Sequence, residues 1–127
     1  MIGYVTLGSN DIPKAAEFYD ALLALRGATR IIEDEHFIAW SPDPKSPAVS
    51  IIKPFDGNEA RTGNGTMVAL IFKGTDQVDA FHAKALELGG TDEGAPGPRG
   101  SSGNFYAGYF RDLDGNKLCA FSLKKAS

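Results

Sequence analysis

The fold of this chain is decided by residues 4–27, which are YVTLGSNDIPKAAEFYDALLALRG. Residues 2–8 alternate in the manner of a β-strand. After them, Asn10 or Asp11 can cap the start of a helix, and Pro13 sits near the first turn, where its missing donor costs nothing. The apolar residues of this helix recur at helical spacing, at Ala15, Phe18, Tyr19, Leu22 and Leu23. We therefore predict a strand followed by a helix that ends at Gly27.

The same arrangement starts again at a constant offset of 63, in residues 67–90, which are MVALIFKGTDQVDAFHAKALELGG. Val5 matches Val68 at this offset, and Phe18 matches Phe81. The glycine that ends the first helix also has its counterpart. Because core positions and the helix stop agree together, we interpret the sequence as an internal duplication.

Each strand–helix segment is followed by three more strand candidates. In the first half, these are about 28–33, 36–41 and 47–53. In the second half, whose helix we expect Thr75 and Asp76 to cap, they are a short strand near 91–93 and strands at 104–111 and 117–123. A long loop rich in Gly, Pro and Ser is expected at 94–103.

These elements predict an α+β fold of two paired βαβββ modules. The modules are expected to form one domain with a curved mixed sheet around a central cleft and the helices on the outer face. Module one covers about 1–57 and module two about 66–127, with a linker at about 58–65. Because ligands bind in concave sites, the cleft is the expected binding site for a small molecule.

Composition excludes several classes of protein. The 127 residues carry 13 Lys and Arg and a net charge of −3, with no basic run, so we expect no nucleic-acid partner. No apolar run approaches the roughly 20 residues of a membrane span. Residues 1–7 lead straight into a strand pattern without the features of a signal peptide. Cys119 is the only cysteine, which excludes an internal disulfide. We expect a cytoplasmic protein.

Three blocks of sequence carry a family resemblance. Residues 4–19, residues 65–90 and the closing block FRDLDGNKL at 110–118 resemble the glyoxalase/bleomycin-resistance/extradiol dioxygenase (vicinal oxygen chelate) superfamily. The resemblance covers nearly the whole chain. It implies the paired-module fold and a homodimer, but not one reaction, since members include lyases, isomerases, dioxygenases and antibiotic-binding proteins.

The resemblance also implies where a metal would bind. Metal-dependent members hold a divalent ion with His, Glu or Gln on the first and fourth strand of each module. These positions fall on Tyr4, Ser50, Met67 and Cys119, and none of them carries such a ligand. The phenol and the thiol must lose protons before they bind metal well, and the thioether is a poor ligand. We therefore expect no metal and no cofactor; a divalent metal is implied by the family alone.

The same four residues are candidates for lining the ligand site, together with Trp40, Arg99 and Tyr106. Trp40 is either a stacking platform or a core aromatic. Arg99 can bind an anion from the long loop or be a solvated surface charge. The inward-facing residues of 104–111 cannot be assigned, because the start of that strand is not fixed.

Tyr4 and Cys119 are also weak candidates for catalysis, with packing as the alternative role of each. The two histidines, His36 and His82, are expected to be partly exposed and away from the cleft.

The leading functional prediction is a glyoxalase-like protein that lacks the usual metal ligands and binds a small organic molecule in the cleft. One alternative is a metal-dependent lyase or dioxygenase of the same superfamily with non-standard ligands. Another is a metal-free acid/base enzyme that uses Tyr4 and Cys119. A third is a subunit whose partner completes the site.

Overall fold

A computed structural model describes residues 1–101 and 103–123, and the chain divides into two compact units, Met1–Thr62 and Gly63–Ser127. Each unit has a strand, a long helix and three further strands in that order, and the strands of each unit form one mixed four-stranded sheet. The predicted α+β class with two βαβββ modules is confirmed.

Unit 1 contains β1 (Tyr4–Gly8), α1 (Ile12–Leu23), a short 3-10 helix (Ala24–Arg26), β2 (Thr29–Glu33), β3 (Phe37–Ser41) and β4 (Ala48–Ile52). Its strand order is β1-β4-β3-β2, with β1 parallel to β4 and the other pairs antiparallel.

The helix of unit 1 begins and ends as the sequence predicts. The Asp11 side chain accepts a hydrogen bond from the backbone N–H of Lys14 at 3.1 Å and so caps α1. Gly27 closes the 3-10 turn with a φ of 70°, a left-handed conformation that glycine adopts without strain. All five residues of the predicted apolar stripe are buried.

Unit 2 contains β5 (Val68–Ile71), α2 (Thr75–Glu87), β6 (Thr91–Arg99), β7 (Phe105–Arg111) and β8 (Lys117–Ser122). Its order is β5-β8-β7-β6, and β5 is parallel to β8. The two units therefore share one topology, as a duplication predicts.

The structure corrects two predictions in unit 2. Residues 94–99 belong to the edge strand β6 and not to a loop, and the register with β7 shifts on either side of Gly94. An edge strand tolerates the prolines here, since it needs no donors on its outer side. The residue before α2 is Gly74, with no side-chain cap, so Thr75 and Asp76 lie inside the helix.

Each helix covers one face of its own sheet. In unit 1, the Tyr19 ring of α1 packs 5.6 Å from the Trp40 ring of β3, and in unit 2 the Phe81 ring of α2 packs 6.0 Å from the Phe110 ring of β7. Because side chains along a strand alternate between faces, these contacts fix which residues face the helix. The opposite side of each sheet, which its own helix does not cover, is called the helix-free face.

Candidate functional site

The helix-free face of unit 1 carries two of the predicted site residues. Ser50 of β4 lies between Thr6 of β1 and Ala39 of β3 in the register of the sheet. Tyr4 shares this face, two residues before Thr6, and its ring meets that of Phe37 edge-on with centroids 6.1 Å apart. Tyr4 is 63% exposed. The face thus combines an accessible phenol with a serine on a central strand.

Ser50 is completely buried, yet its Oγ has no hydrogen-bond partner among the described residues. A hydroxyl offers one donor and two acceptor positions. Leaving such a group buried and unsatisfied costs about 1–3 kcal/mol. Buried polar atoms in folded proteins are nearly always satisfied, so this hydroxyl is an exception among the described residues.

The helix-free face of unit 2 carries Cys119 of β8, which lies between Ala69 of β5 and Tyr109 of β7. Tyr109 and Cys119 are directly opposite each other in the register of β7 and β8. Burial raises the pKa of the Cys119 thiol and also the pKa of the Tyr109 phenol. Both groups are therefore neutral near pH 7, and Cys119 is a protonated, buried thiol.

Two cationic side chains stand beside the Tyr109 ring. The guanidinium carbon of Arg99, from β6, and the ammonium nitrogen of Lys117, from β8, are each 5.4 Å from the ring centroid. Arg99 donates from Nε to the Ala107 carbonyl at 3.3 Å and from Nη2 to the Ala95 carbonyl. Both cations lie among half-buried side chains of the strands. The expected loop position of Arg99 is thus replaced by a place in the sheet.

The four positions where the family resemblance implies metal ligands do not form a donor set for a divalent ion. Ser50 and Cys119 face away from the helices, but the thiol is held protonated. Met67 precedes β5 and is 41% exposed. Residues 1–101 and 103–123 contain no group of three or more His, Cys, Asp or Glu that could hold a metal ion. The side chains at these four positions do not fit a divalent metal ion.

Two predicted site residues lie on the helix-covered faces. Trp40 is buried, and its indole N–H donates to Asp20 Oδ1 at 2.8 Å, which makes it a core aromatic. The Tyr106 hydroxyl donates to Asp79 of α2 at 2.6 Å, and this hydrogen bond raises the pKa of the phenol. Trp40 and Tyr106 therefore lie off the helix-free faces.

One histidine differs from its expected environment. His82 is only 5% exposed, and its Nε2 lies 3.0 Å from Asp92 Oδ1 and 3.1 Å from the Tyr109 carbonyl oxygen. Since both partners are acceptors, Nε2 carries the proton. The prediction of a partly exposed helical histidine is wrong, because α2 lays this side chain against β6 and β7. His36 is exposed, as expected.

Sequence reasoning missed Tyr109 and Lys117 as site residues. The signal was present, since period-two alternation places Tyr109 and Tyr106 on opposite faces of β7. What was missing was the face that the helix covers.

Sequence reasoning also missed a surface pocket of about 410 Å³ within unit 1. It lies between the start of α1, the β2–β3 turn and the segment after β4. Both acids and bases line it, among them Glu35, His36, Lys53 and Glu59. This mixed lining selects no class of ligand.

No helix among the described residues has the length and apolar character that crossing a membrane requires.

Known proteins are similar to this chain over most of its length. Residues 1–120 match the model of the Glyoxalase/Bleomycin resistance protein/Dioxygenase superfamily. A crystal structure of a glyoxalase/bleomycin resistance protein from Albidiferax ferrireducens T118 is similar at 34% sequence identity and a TM-score of 0.84, covering 96% of this chain and 98% of that chain. The comparison with curated proteins gives no match.

Two more distant structures share the fold alone. Lactoylglutathione lyase from Agrobacterium tumefaciens has 16% identity and a TM-score of 0.69, with 96% of this chain and 92% of that chain covered. Fosfomycin resistance protein FosX from Mesorhizobium loti has 14% identity and a TM-score of 0.67, with 96% and 90% covered.

Proposed function

The chain belongs to the Glyoxalase/Bleomycin resistance protein/Dioxygenase superfamily, and on that premise we propose that it binds a small organic molecule on its helix-free sheet faces without a divalent metal. We also propose that the protein forms a homodimer, as the family resemblance implies, and that it is cytoplasmic, as its composition suggests.

The buried hydroxyl of Ser50 carries the proposal. It has no partner among the described residues, and it occupies a position where metal-dependent relatives are expected to place a ligating side chain. A polar atom of a bound molecule would satisfy this hydroxyl and recover the free energy that its isolation costs, about 1–3 kcal/mol. The neighbouring Tyr4 and Phe37 rings offer apolar contact on the same face.

The chemistry of the donor atoms favours binding over metal-assisted catalysis. A hydroxyl and a protonated thiol are weak ligands for the hard or borderline ions that stabilise enolates and cleave rings. For the metal-free acid/base alternative, the raised pKa of Cys119 keeps the thiolate scarce at neutral pH. Binding needs neither a metal nor a thiolate.

Elemental analysis of the purified full chain tests the absence of a metal. We expect less than about 0.1 equivalent of zinc, nickel, iron or manganese per chain, because the residues present do not form a donor set. A stoichiometric amount of any of these metals, retained after dialysis against a chelator, would overturn the metal-free proposal.

Backbone amide NMR on the labelled full chain tests binding itself. The probes are benzamide, benzyl alcohol, benzoate and phenylphosphonate, added one at a time. We expect at least one probe to shift amides on the helix-free faces, at Thr6 and Ser50 or at Tyr109 and Cys119. The exposed Glu17, Lys45 and Glu87, which lie outside the strands, serve as internal references for non-specific shifts. If no probe shifts the helix-free faces, the binding proposal is refuted.

A further inference from the structure

The helix-free face of unit 2 carries two positive charges for which residues 1–101 and 103–123 provide no ion pair. Neither Arg99 nor Lys117 makes an ion pair with a described residue, although Arg111, which shares their face, pairs with Glu93 at 2.9 Å. Two cations near one ring in a half-buried setting repel each other, since the local dielectric is lower than that of water. An anion that binds beside either cation reduces this repulsion.

The uncharged state of the other two groups leaves this positive charge intact. Burial raises the pKa of both the Tyr109 phenol and the Cys119 thiol, so neither supplies a negative charge near pH 7. The charged groups in contact with the Tyr109 ring are the Arg99 guanidinium and the Lys117 ammonium, each 5.4 Å from its centroid. Such a site also disfavours a divalent cation, in agreement with the proposed absence of metal.

Arg99 is positioned before any ligand arrives. Two backbone carbonyls, those of Ala95 and Ala107, accept hydrogen bonds from its guanidinium group, and the Tyr109 ring lies beside it. A cation held in this way loses little conformational freedom on binding, which favours affinity. Lys117 reaches the same ring from the neighbouring strand β8 with three rotatable donors.

An apolar surface adjoins the cations on the same face. The rings of Phe105 and Phe121 pack with centroids 5.3 Å apart, and both are half-buried. Phe105 is the register partner of Arg99, so the two residues are neighbours across β7 and β6 on the same face. A ligand that touches both needs a charged head and an apolar body.

We propose that unit 2 binds an organic acid on its helix-free face, with its carboxylate or phosphonate head attracted by the Arg99 and Lys117 cations beside the Tyr109 ring and its apolar body on Phe105 and Phe121. The inference rests on the proposed function and narrows it, because it names the ligand class as an oxyanion attached to an aromatic or apolar group. The shared chemistry of the two heads is a compact negative charge with several acceptor oxygens.

The test compares charged aromatic probes with neutral ones on the folded full chain. Benzoate is matched with benzamide, and phenylphosphonate with benzyl alcohol. We expect each oxyanion to bind about tenfold or more tightly than its neutral counterpart, since charged hydrogen bonds contribute more than neutral ones. The affinity should also fall when sodium chloride is raised from about 20 mM to about 300 mM, because salt screens partly exposed charges. The oxyanion that binds with the higher affinity, benzoate or phenylphosphonate, shows whether the preferred head group is a carboxylate or a phosphonate.

Three variants locate the effect. Lys117→Gln should weaken oxyanion binding about tenfold and leave neutral probes unchanged. Arg99→Lys keeps the charge but not the planar fork, and it should weaken binding less than Arg99→Gln. The matched control is Lys84→Gln, which removes the same charge from α2, on the other side of the sheet, and should have no effect. The melting temperature of each variant shows that it is folded.

The outcomes separate this inference from the proposed function. If neutral and charged probes bind this face equally, or if Lys117→Gln and Arg99→Gln bind oxyanions as well as the unaltered chain does, the oxyanion inference is overturned and small-molecule binding stands. If no probe of either kind binds, both are overturned.

Discussion

Replacing Ser50 by alanine should stabilise the unliganded protein, although serine-to-alanine changes at buried polar sites usually destabilise. The Ser50 hydroxyl is fully buried without a described partner, so the substitution removes an unsatisfied polar group at the loss of one oxygen atom of packing volume. The unsatisfied group costs about 1–3 kcal/mol, and we take the lower end because the surroundings relax. The free energy of unfolding should therefore rise by about 1 kcal/mol.

The matched control is Ser41→Ala in the neighbouring strand β3. Ser41 is as buried as Ser50, but its Oγ donates to the Asp43 carbonyl at 2.6 Å and lies 3.1 Å from that of Ser46. Its loss removes these hydrogen bonds and should lower the free energy of unfolding by about 1 kcal/mol. The two substitutions are chemically identical, so the predicted difference in sign arises from the hydrogen bonds alone.

Urea denaturation followed by fluorescence measures both effects. With a denaturant dependence of about 2 kcal/mol per molar, the midpoint should rise by about 0.5 M for Ser50→Ala and fall by about 0.5 M for Ser41→Ala. Equal slopes for the three proteins are required, since a changed slope signals a changed unfolded state or an intermediate. If Ser50→Ala loses as much stability as Ser41→Ala, the hydroxyl has a partner, and the reasoning that makes Ser50 a ligand site is refuted.

Three further changes test other parts of the structure. His82→Ala should lower the free energy of unfolding by about 2–3 kcal/mol, because it removes two hydrogen bonds and leaves a cavity. The control, His36→Ala at an exposed site, should change this free energy by less than about 0.5 kcal/mol. Similar urea midpoints for the two variants would contradict the buried placement of His82. Asp20→Ala should cost about 2 kcal/mol, because this carboxylate accepts the N–H of a buried indole and two guanidinium N–H groups, and the exposed Glu17→Ala is the control whose urea midpoint should not move. Folding raises the pKa of the Cys119 thiol, so as pH rises the unfolded chain loses this proton before the folded protein does. The free energy of unfolding should therefore fall above about pH 8.5, by at most about 1.4 kcal/mol per pH unit. A Cys119→Ala variant with the same decline between about pH 8.5 and about pH 9.5 would contradict the assignment of this effect to Cys119.

Much of the fold was open to prediction because it is encoded by neighbours along the chain. The alternation around Val5, the cap at Asp11 and the stop at Gly27 act within one strand or one helical turn, so single-sequence patterns contain them. The repeat at an offset of 63 then extends the same assignment to the second unit.

The failures in prediction involve partners that are distant in sequence. The glycines and prolines at 94–98 have the composition of a loop, but these residues pair with β7 and form part of β6. Because β6 is an edge strand, it tolerates the prolines and the two shifts in register. His82 has the helical position of an exposed residue, and only the packing of α2 against β6 and β7 buries it. Neither partner can be recognised from the local pattern.

The sequence by itself determined which kinds of side chain stand at the family's ligand positions: a phenol, a hydroxyl, a thioether and a thiol. Only the tertiary structure decided that Tyr109, and not Tyr106, shares a face with Cys119. It also placed the Arg99 and Lys117 cations each 5.4 Å from the centroid of the Tyr109 ring. The physical reason is the two-residue period of a strand, in which a shift of one residue moves every side chain to the other face. Which face is free depends on where the helix packs, and that packing is a contact between segments far apart in the chain.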